Sequence, residues 1–527
     1  MKPRAVRVPG WISLLAVAAL LAAALALWQL YAGEAGVQRQ DAVVDGTPVT
    51  VYSPAEGASG PPVLIAHGFA GSQRLMEPFA LTLARNGYTA VTYDFLGHGR
   101  NPRPLYGDVT APVTEPGSAG EALVAQTRAV AEYARRITGR QELAILGHSM
   151  ATTIVARYAQ LDPAVEATVG VSLFAPTVDA ETPRNLLVIV GGLEGRLIEE
   201  GRRVVAMAAG IEPGAVQPGR TYGDPVDGNA RRLAVIEGVE HISVLYSGES
   251  LGAALDWLDR AFERSSAGEV AVRGPWILLL LAAVIALARP ASRLLPRVAA
   301  AWHGADASWR TLALASGVPA LLTPLLLAPI PTGFLPVLVA DYVAVHFALY
   351  GVLSAAALWW LGGRPSLRRL GGRVLPEGRP WRLALAAAAL TGYCVIALGW
   401  PIDRFVTSFY PVLERLPLML AMLAGTLPYF LADEWLTRGG AARRGAYPAT
   451  KLLFLLSLGL AIALDFEGLF FLIIIVPVIM AFFVVYGLFS RWAYRRSGHP
   501  FVAGVANAVA FAWALAVTFP LLGGGQP

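Results

Sequence analysis

The sequence predicts a two-part protein: an α/β domain on a mostly parallel sheet with helices on both faces and no large cap, plus an all-α transmembrane bundle of about nine helices in total. Three observations predict this. Of 527 residues, 55% are hydrophobic and only 15% charged, a balance that does not suit a water-soluble enzyme of this length. The charges concentrate in residues 34–270 and in short loops later on. Within 34–270, short β-rich runs alternate with helical patterns, as expected of parallel strands joined by helices.

Trp11 to Gly33 carries no charge and follows Lys2, Arg4 and Arg7. The apolar stretch is longer than a usual signal core and has no small-x-small cleavage site before Glu34, so residues 1–33 are expected to be an uncleaved transmembrane anchor. Residues 34–270 read as an extracytoplasmic domain. Its expected strands are Pro62 to Ala66, Thr89 to Tyr93, Leu143 to Leu146, Thr168 to Phe174, Leu186 to Val190 and Leu233 to Ile236. Its expected helices are Leu75 to Asn86, Glu121 to Ile137, Met150 to Gln160, Leu197 to Ala209 and Leu251 to Phe262.

Residues 271–527 are expected to form a polytopic helical domain of about eight spans, near 275–289, 309–330, 334–361, 381–400, 413–432, 450–465, 468–490 and 501–523. Basic residues test this reading, because they mark cytoplasmic connections. Arg289, Arg293, Arg297 and Arg310 share one loop. The run from Arg364 to Arg382, with Arg368, Arg369 and Arg373, fills another. Arg438, Arg443, Arg444 and Lys451 fall in a third, and Arg491, Arg495 and Arg496 in a fourth. With the basic N-terminus inside, all four are cytoplasmic and the α/β domain lies outside. Richness in Ala, Gly, Arg and Leu suits the inner membrane of a bacterium.

Gly147-His148-Ser149-Met150-Ala151 follows the apolar run Glu142-Leu-Ala-Ile-Leu and opens a helical pattern. A serine on a strand-turn-helix bend, flanked by small residues because the bend has no room for larger ones, is the setting of a nucleophile elbow. His67-Gly68-Phe69 follows an earlier strand, Asp94-Phe-Leu-Gly-His98-Gly99 ends the next one, and His241 follows the last in Gly238-Val-Glu-His241-Ile-Ser-Val-Leu.

Together these motifs resemble the α/β-hydrolase superfamily, in particular its esterase and lipase-like members, over roughly residues 45–263. The resemblance implies Ser149 as nucleophile, His241 as its base, and the backbone N–H groups of Phe69 and Met150 as an oxyanion hole, worth about 3–4 kcal/mol per donor. Chain order in this fold places the acid between them. Glu194, in Gly191-Gly-Leu-Glu194-Gly195, is the first candidate, Asp179 the second, and Asp224 and Asp227 follow. Ala151 in place of glycine and Glu194 in place of aspartate depart from the commoner pattern. His67, His98 and His148 read as loop-fixing donors, and Asp94 as a brace for its turn. Only Ala175 to Asn185 lies where many relatives insert a cap, which leaves no room for a helical one. The Pro- and Gly-rich stretch Arg100 to Gly120 reads equally well as a small lid or an ordinary loop, and the membrane surface itself is a candidate roof.

The expected activity is a membrane-bound serine hydrolase cleaving carboxylic esters, with small-molecule or lipid esters as substrate and membrane lipids as surroundings. A peptidase or thioesterase would share the same residues, and a transporter or scaffold with a non-catalytic binding domain would share the fold. Nucleic acid is not an expected partner, because no basic domain or reading motif is present. The single Cys394 excludes an internal disulfide. The seven histidines do not cluster at ligand spacing, so neither metal nor cofactor is expected. Asp341 and His346 are expected inside a span, pairing across helices, lining a groove or relaying protons. Asp433 and Glu434 are expected at the cytoplasmic interface.

Overall fold

The computed structural model describes residues 10–56, 60–366 and 380–523; Lys2, Arg4, Arg7, Arg368, Arg369 and Arg373 lie outside the described residues. The chain divides into two compact units. One draws on residues 25–279, 402–412 and the positions from 520 on; the other on the positions up to 24, 280–401 and 413–519.

The first unit is built on a nine-stranded sheet: β1 (Val37–Val44), β2 (Thr47–Pro54), β3 (Pro62–Ala66), β4 (Thr89–Tyr93), β5 (Leu143–His148), β6 (Val165–Val171), β7 (Leu186–Gly191), β8 (Thr221–Tyr222) and β9 (Arg231–Ile236), in the order β1-β2-β4-β3-β5-β6-β7-β9-β8. The six central strands from β4 to β9 run parallel, whereas β1, β2 and β8 add antiparallel edges. Every residue of β3, β4, β5 and β7 is buried, as a parallel sheet covered on both faces requires. Alternate residues serve opposite faces. Val63 and Ile65 pack with α2 (Glu77–Arg85) and α6 (Gly248–Ala261). Leu64 and Ala66 pack with α3 (Ala119–Thr138) and α4 (Met150–Leu161), and α5 (Gly195–Ala209) covers β7 and β9.

Two expectations change here. The hairpin β1–β2 was not expected, because β1 is polar and mostly exposed; its turn is Asp45-Gly46, both at positive φ, a sequence that favours two-residue hairpins. The strand expected over Thr168 to Phe174 instead covers Val165–Val171, since Ser172 turns to φ +52° and ends it.

A buried ion cluster ties this unit together across the sequence. Arg404 donates to both carboxylate oxygens of Glu34 at 2.7 Å and to Glu77 at 3.2 Å. Arg273 lies 3.0 Å from Glu34 and 3.4 Å from Glu77, whose side chain is 1% exposed. Nearby, Asp403 accepts from Arg100 at 2.6 Å, and Ser72 Oγ accepts from the Ser408 N–H at 2.9 Å. Segments 402–412 and 520–523, both expected within 271–527, are thereby part of the α/β unit.

Among the described residues, nine helices are long and apolar enough to cross a membrane: Gly10–Ala32, Gly274–Leu294, Trp309–Leu327, Ala340–Leu361, Pro380–Phe405, Leu413–Thr437, Ala446–Leu464, Leu472–Ser497 and Phe501–Thr518. The helix expected from 334 starts only at Ala340. Asp341 lies in its first turn, still within the span, and accepts from the Phe334 N–H at 2.9 Å, so it braces the segment that leads into the helix. The Ala340–Leu361 and Leu413–Thr437 helices meet at glycines. A Cβ on Gly351 would come within 2.3 Å of the Tyr429 nitrogen, and one on Gly425 within 2.4 Å of the Ala344 oxygen. Asp433 and Glu434 lie near the C-terminal end of the Leu413–Thr437 helix and are enclosed by protein. They are 5% and 0% exposed, Asp433 pairing with Lys451 and Thr450, and Glu434 with Arg438 and Ser490. His346 is buried beside Ser457, 3.0 Å away.

Because Glu77 is buried, removing one of the cations beside it weakens the compensation of two carboxylates and leaves it to Arg273 and Arg74. Arg404→Ala is expected to cost about 2 kcal/mol, read as a lowered thermal unfolding midpoint of the full-length protein, while Arg404→Lys loses less. An unchanged midpoint in Arg404→Ala overturns the assignment.

Candidate active site

The strand β5 delivers Ser149 to the site. The strand ends at His148 and α4 begins at Met150, leaving one residue for the bend. Ser149 takes φ +55° and ψ −122°, a conformation that costs a non-glycine residue about 1–3 kcal/mol and holds only when its surroundings enforce it. Here the Ser149 N–H donates to Val171 O at 2.9 Å, and its carbonyl accepts from Thr152 Oγ1 at 2.7 Å. A Cβ on Gly147 would meet Val155 Cγ2 at 2.8 Å, so glycine lets α4 pack directly on the strand end.

His241 comes from the loop after β9, and Glu194 from the loop after β7. Ser149 Oγ lies 2.9 Å from His241 Nε2, and His241 Nδ1 lies 2.6 Å from Glu194 Oε1. With Nδ1 donating to the carboxylate, Nε2 is the nitrogen free to accept the serine proton. Glu194 is further fixed through Oε2, which accepts from the Gly191 N–H at 2.7 Å and from Ser172 Oγ at 2.8 Å. Burial pushes the Glu194 pKa upward, but the hydrogen bonds from His241, Gly191 and Ser172 outweigh it and hold the carboxyl below its ordinary value.

The other candidate acids lie elsewhere. Asp179 accepts from the N–H groups of Glu181 and Thr182 in its own turn, Asp224 accepts from the Val226 N–H, and Asp227 is exposed. Ser172 is a site residue that the sequence reading missed. It follows β6 in no recognisable motif, and only its positive φ, which no sequence signal announces, turns its hydroxyl to Glu194.

The loop after β3 closes on the serine. A Cβ on Gly68 would stand 3.0 Å from both Ser149 Cβ and His148 Nδ1, so the backbone leading to Phe69 passes against the elbow. Met150 is the first residue of α4, and its N–H therefore has no intrahelical acceptor. The histidines expected to fix loops hold backbone. His67 Nε2 accepts from the Phe95 N–H at 3.1 Å, His98 Nδ1 donates to Leu96 O at 2.9 Å, and His148 Nε2 donates to His241 O at 2.9 Å. Asp94 accepts from the N–H groups of Gln73 and Arg100, at 2.8 and 3.0 Å, bracing the loops after β3 and β4 against each other. Phe174, Leu193 and Ile242, each within two residues of Ser172, Glu194 or His241, are 60%, 69% and 43% exposed, so the loops that carry the site also carry exposed apolar side chains. Among the described residues no group of three or more His, Cys, Asp or Glu is arranged to hold a metal ion.

Residues 61–197 match the family model described as the alpha/beta hydrolase fold, which takes in the His67 loop, the elbow and Glu194. The unit containing them has the α/β-hydrolase fold, with a mostly parallel sheet and helices on both faces, and it is accompanied in the chain by a membrane-type helical domain. No curated protein matches the sequence. Solved structures similar to the chain include a predicted CIB-like hydrolase from Thermoplasma acidophilum, 15% identical, covering 42% of this chain and 97% of that one with a TM-score of 0.32. An epoxide hydrolase from Vigna radiata is 13% identical, covering 42% and 97% with a TM-score of 0.29. A laboratory-evolved potato epoxide hydrolase is 14% identical, covering 42% and 99% with a TM-score of 0.29. Likeness of that size does not distinguish one reaction from another.

His148 sets an acid limit on the fold. Burial, then the neighbouring His241, takes its pKa from 6.5 to about 3, so it is neutral when folded. The unfolded chain binds a proton near 6.5 that the folded chain refuses until about pH 3. The stability from neutral His148 is therefore complete above 6.5 and is lost as pH falls toward 3; that from Glu194 is also lost on acidification. Between pH 7 and 5 the His148 contribution drops by about 2 kcal/mol. The thermal midpoint is expected to fall over that interval, and to fall less in His148→Gln, which keeps a donor but does not titrate. An equal fall in both proteins refutes the assignment.

Proposed function

We propose that this protein is a membrane-bound serine hydrolase acting on carboxylic esters through an acyl-enzyme. The observation that carries the reading is the continuous chain from Ser149 Oγ through His241 to Glu194, at 2.9 and 2.6 Å.

In the proposed cycle, Ser149 Oγ attacks the ester carbonyl carbon while its proton passes to His241 Nε2. Glu194 stays ionised, keeps Nδ1 protonated and stabilises the imidazolium. The N–H groups of Phe69 and Met150 receive the negative charge on the carbonyl oxygen. Collapse of the tetrahedral species breaks the bond to the alcohol oxygen, which takes the proton from His241. Water then gives a proton to His241 and attacks the acyl-serine. The carboxylic acid leaves, and the proton returns to Ser149. The exposed apolar side chains of Phe174, Leu193 and Ile242, on the loops that carry Ser172, Glu194 and His241, favour an apolar acyl group, as in a lipid or lipid-linked ester.

The same reading divides the chain into an anchor at 1–33, a catalytic domain at 34–270 that the segments 402–412 and 520–523 complete, and a polytopic domain in the rest of 271–527. It places the protein in a bacterial inner membrane, with the catalytic domain extracytoplasmic because the arginine-rich connections would lie inside.

A fluorophosphonate probe is expected to label the full-length protein at Ser149. Ser149→Ala abolishes labelling and ester turnover, and Glu194→Gln lowers kcat by about 10⁴ by losing the imidazole orientation. Folded wild-type protein that takes no label refutes the catalytic reading and leaves a binding domain. Turnover of peptides or thioesters in preference to oxygen esters reassigns the substrate class.

A further inference from the structure

The helical unit contains a cavity of about 900 Å³ that no step of the proposed hydrolysis uses. Arg438, Arg443, Arg444, Lys451, Arg491 and Arg495 line it, and no aspartate or glutamate does. Two of these cations are already matched: Arg438 by Glu434 at 2.9 Å and Lys451 by Asp433. Arg443, Arg444, Arg491 and Arg495 have no acidic partner among the described residues, and all four are exposed. Arg495 also lines a second recess, with Arg289, Arg293 and Arg496. Four unmatched guanidinium groups around one concavity repel each other, and an anion bound there relieves that repulsion.

The remainder of the lining is apolar and is ordered along the helices. On the Leu472–Ser497 helix, Met480, Val484 and Leu488 precede Arg491 and Arg495. On the Ala446–Leu464 helix, Leu455 and Leu452 lie farther from the arginines of its N-terminal connection than Tyr447 does. The two helices face each other through the Tyr447 hydroxyl, which donates to Phe483 O at 2.9 Å. The cavity is therefore cationic at one end and apolar at the other. From Met480 to Arg495 it follows one helix for about 22 Å at about 1.5 Å per residue, enough for a headgroup and much of an acyl chain. Met480 and Val484 are 52% and 61% exposed, so the apolar end is open to a chain lying along the helices.

We infer that this cavity is a binding site for an anionic phospholipid, with the phosphate held by Arg443, Arg444, Arg491 and Arg495 and one acyl chain lying along Met480 and Val484. A free phosphate would satisfy the arginines but leave the apolar end unfilled. A zwitterionic lipid would fill that end but bring its own cation to the guanidinium groups.

The test uses full-length protein in a neutral detergent, offered equal amounts of phosphatidylglycerol and phosphatidylcholine and read by native mass spectrometry, with inorganic phosphate as a separate competitor. Phosphatidylglycerol is expected to be retained over phosphatidylcholine and to resist millimolar phosphate. Each of Arg443→Gln, Arg444→Gln, Arg491→Gln and Arg495→Gln should weaken retention about fivefold, the ratio matching about 1 kcal/mol per basic residue. Equal retention of the two lipids by the wild type overturns the inference without recourse to any variant. Displacement of the lipid by phosphate alone also overturns it, as does undiminished retention in the four variants. Fluorophosphonate labelling of Ser149 monitors folding of the variants, since none of the four arginines belongs to the proposed hydrolytic machinery.

Discussion

The arrangement around Ser149 depends on a single backbone constraint. The strand β5 must end and α4 must begin with one residue between them, and that residue must hold a positive φ with a side chain attached. The cost is met by packing on both sides. The fully buried strand fixes the approach, and the bare face of Gly147 lets α4 settle against it. The Ser149 N–H is spent on Val171, so the bend is also tied to the neighbouring strand. The serine hydroxyl is thereby placed by the sheet and not by its own rotamer alone.

The acid limb of the site is built on a different principle. Glutamate has one more methylene than aspartate and one more torsion to restrain. Three donors supply the restraint: the imidazole on one oxygen, and the Gly191 N–H and Ser172 hydroxyl on the other. Gly191 has a second role, because a Cβ there would stand 2.6 Å from Val239 O and 3.0 Å from Glu194 Oε2. The loops after β6, β7 and β9 converge on one carboxylate, and His241 is held on its other side by the donation from His148 to its carbonyl.

How much of this was legible in the sequence follows from the range of the interactions. Strands β3, β5 and β7 were readable because burial on both faces writes them as apolar runs, and β4 because Thr, Val and Tyr are strand-favouring residues. The elbow was readable because a tight bend restricts the residues on either side of Ser149. Strand β1 was not, since Val-Gln-Arg-Gln-Asp at an exposed edge carries neither an apolar run nor clean alternation. Ser172 was invisible because it acts through a backbone turn. The Glu34, Glu77, Arg273 and Arg404 cluster joins residues as far as 370 positions apart, and no local pattern reports such pairings. The enclosure of Asp433 and Glu434 was hidden for a related reason. Their positions near a helix end suggest solvent, but Lys451 and Ser490 from other helices enclose them.

That distant cluster bears on how the protein is made. The last strand of the sheet is complete at Ile236 and the last covering helix at Ala261, yet a partner of Glu34 and Glu77 is Arg404. A growing chain that has passed the sheet but not reached residue 404 leaves Arg273 as the sole cation joining Glu34 to Glu77. Ser72, four residues past Gly68, also waits for Thr407 and Ser408. Completion of the α/β unit thus waits on residues 404–408, and a chain that stops before them holds every strand of the sheet with its charge pairing unfinished.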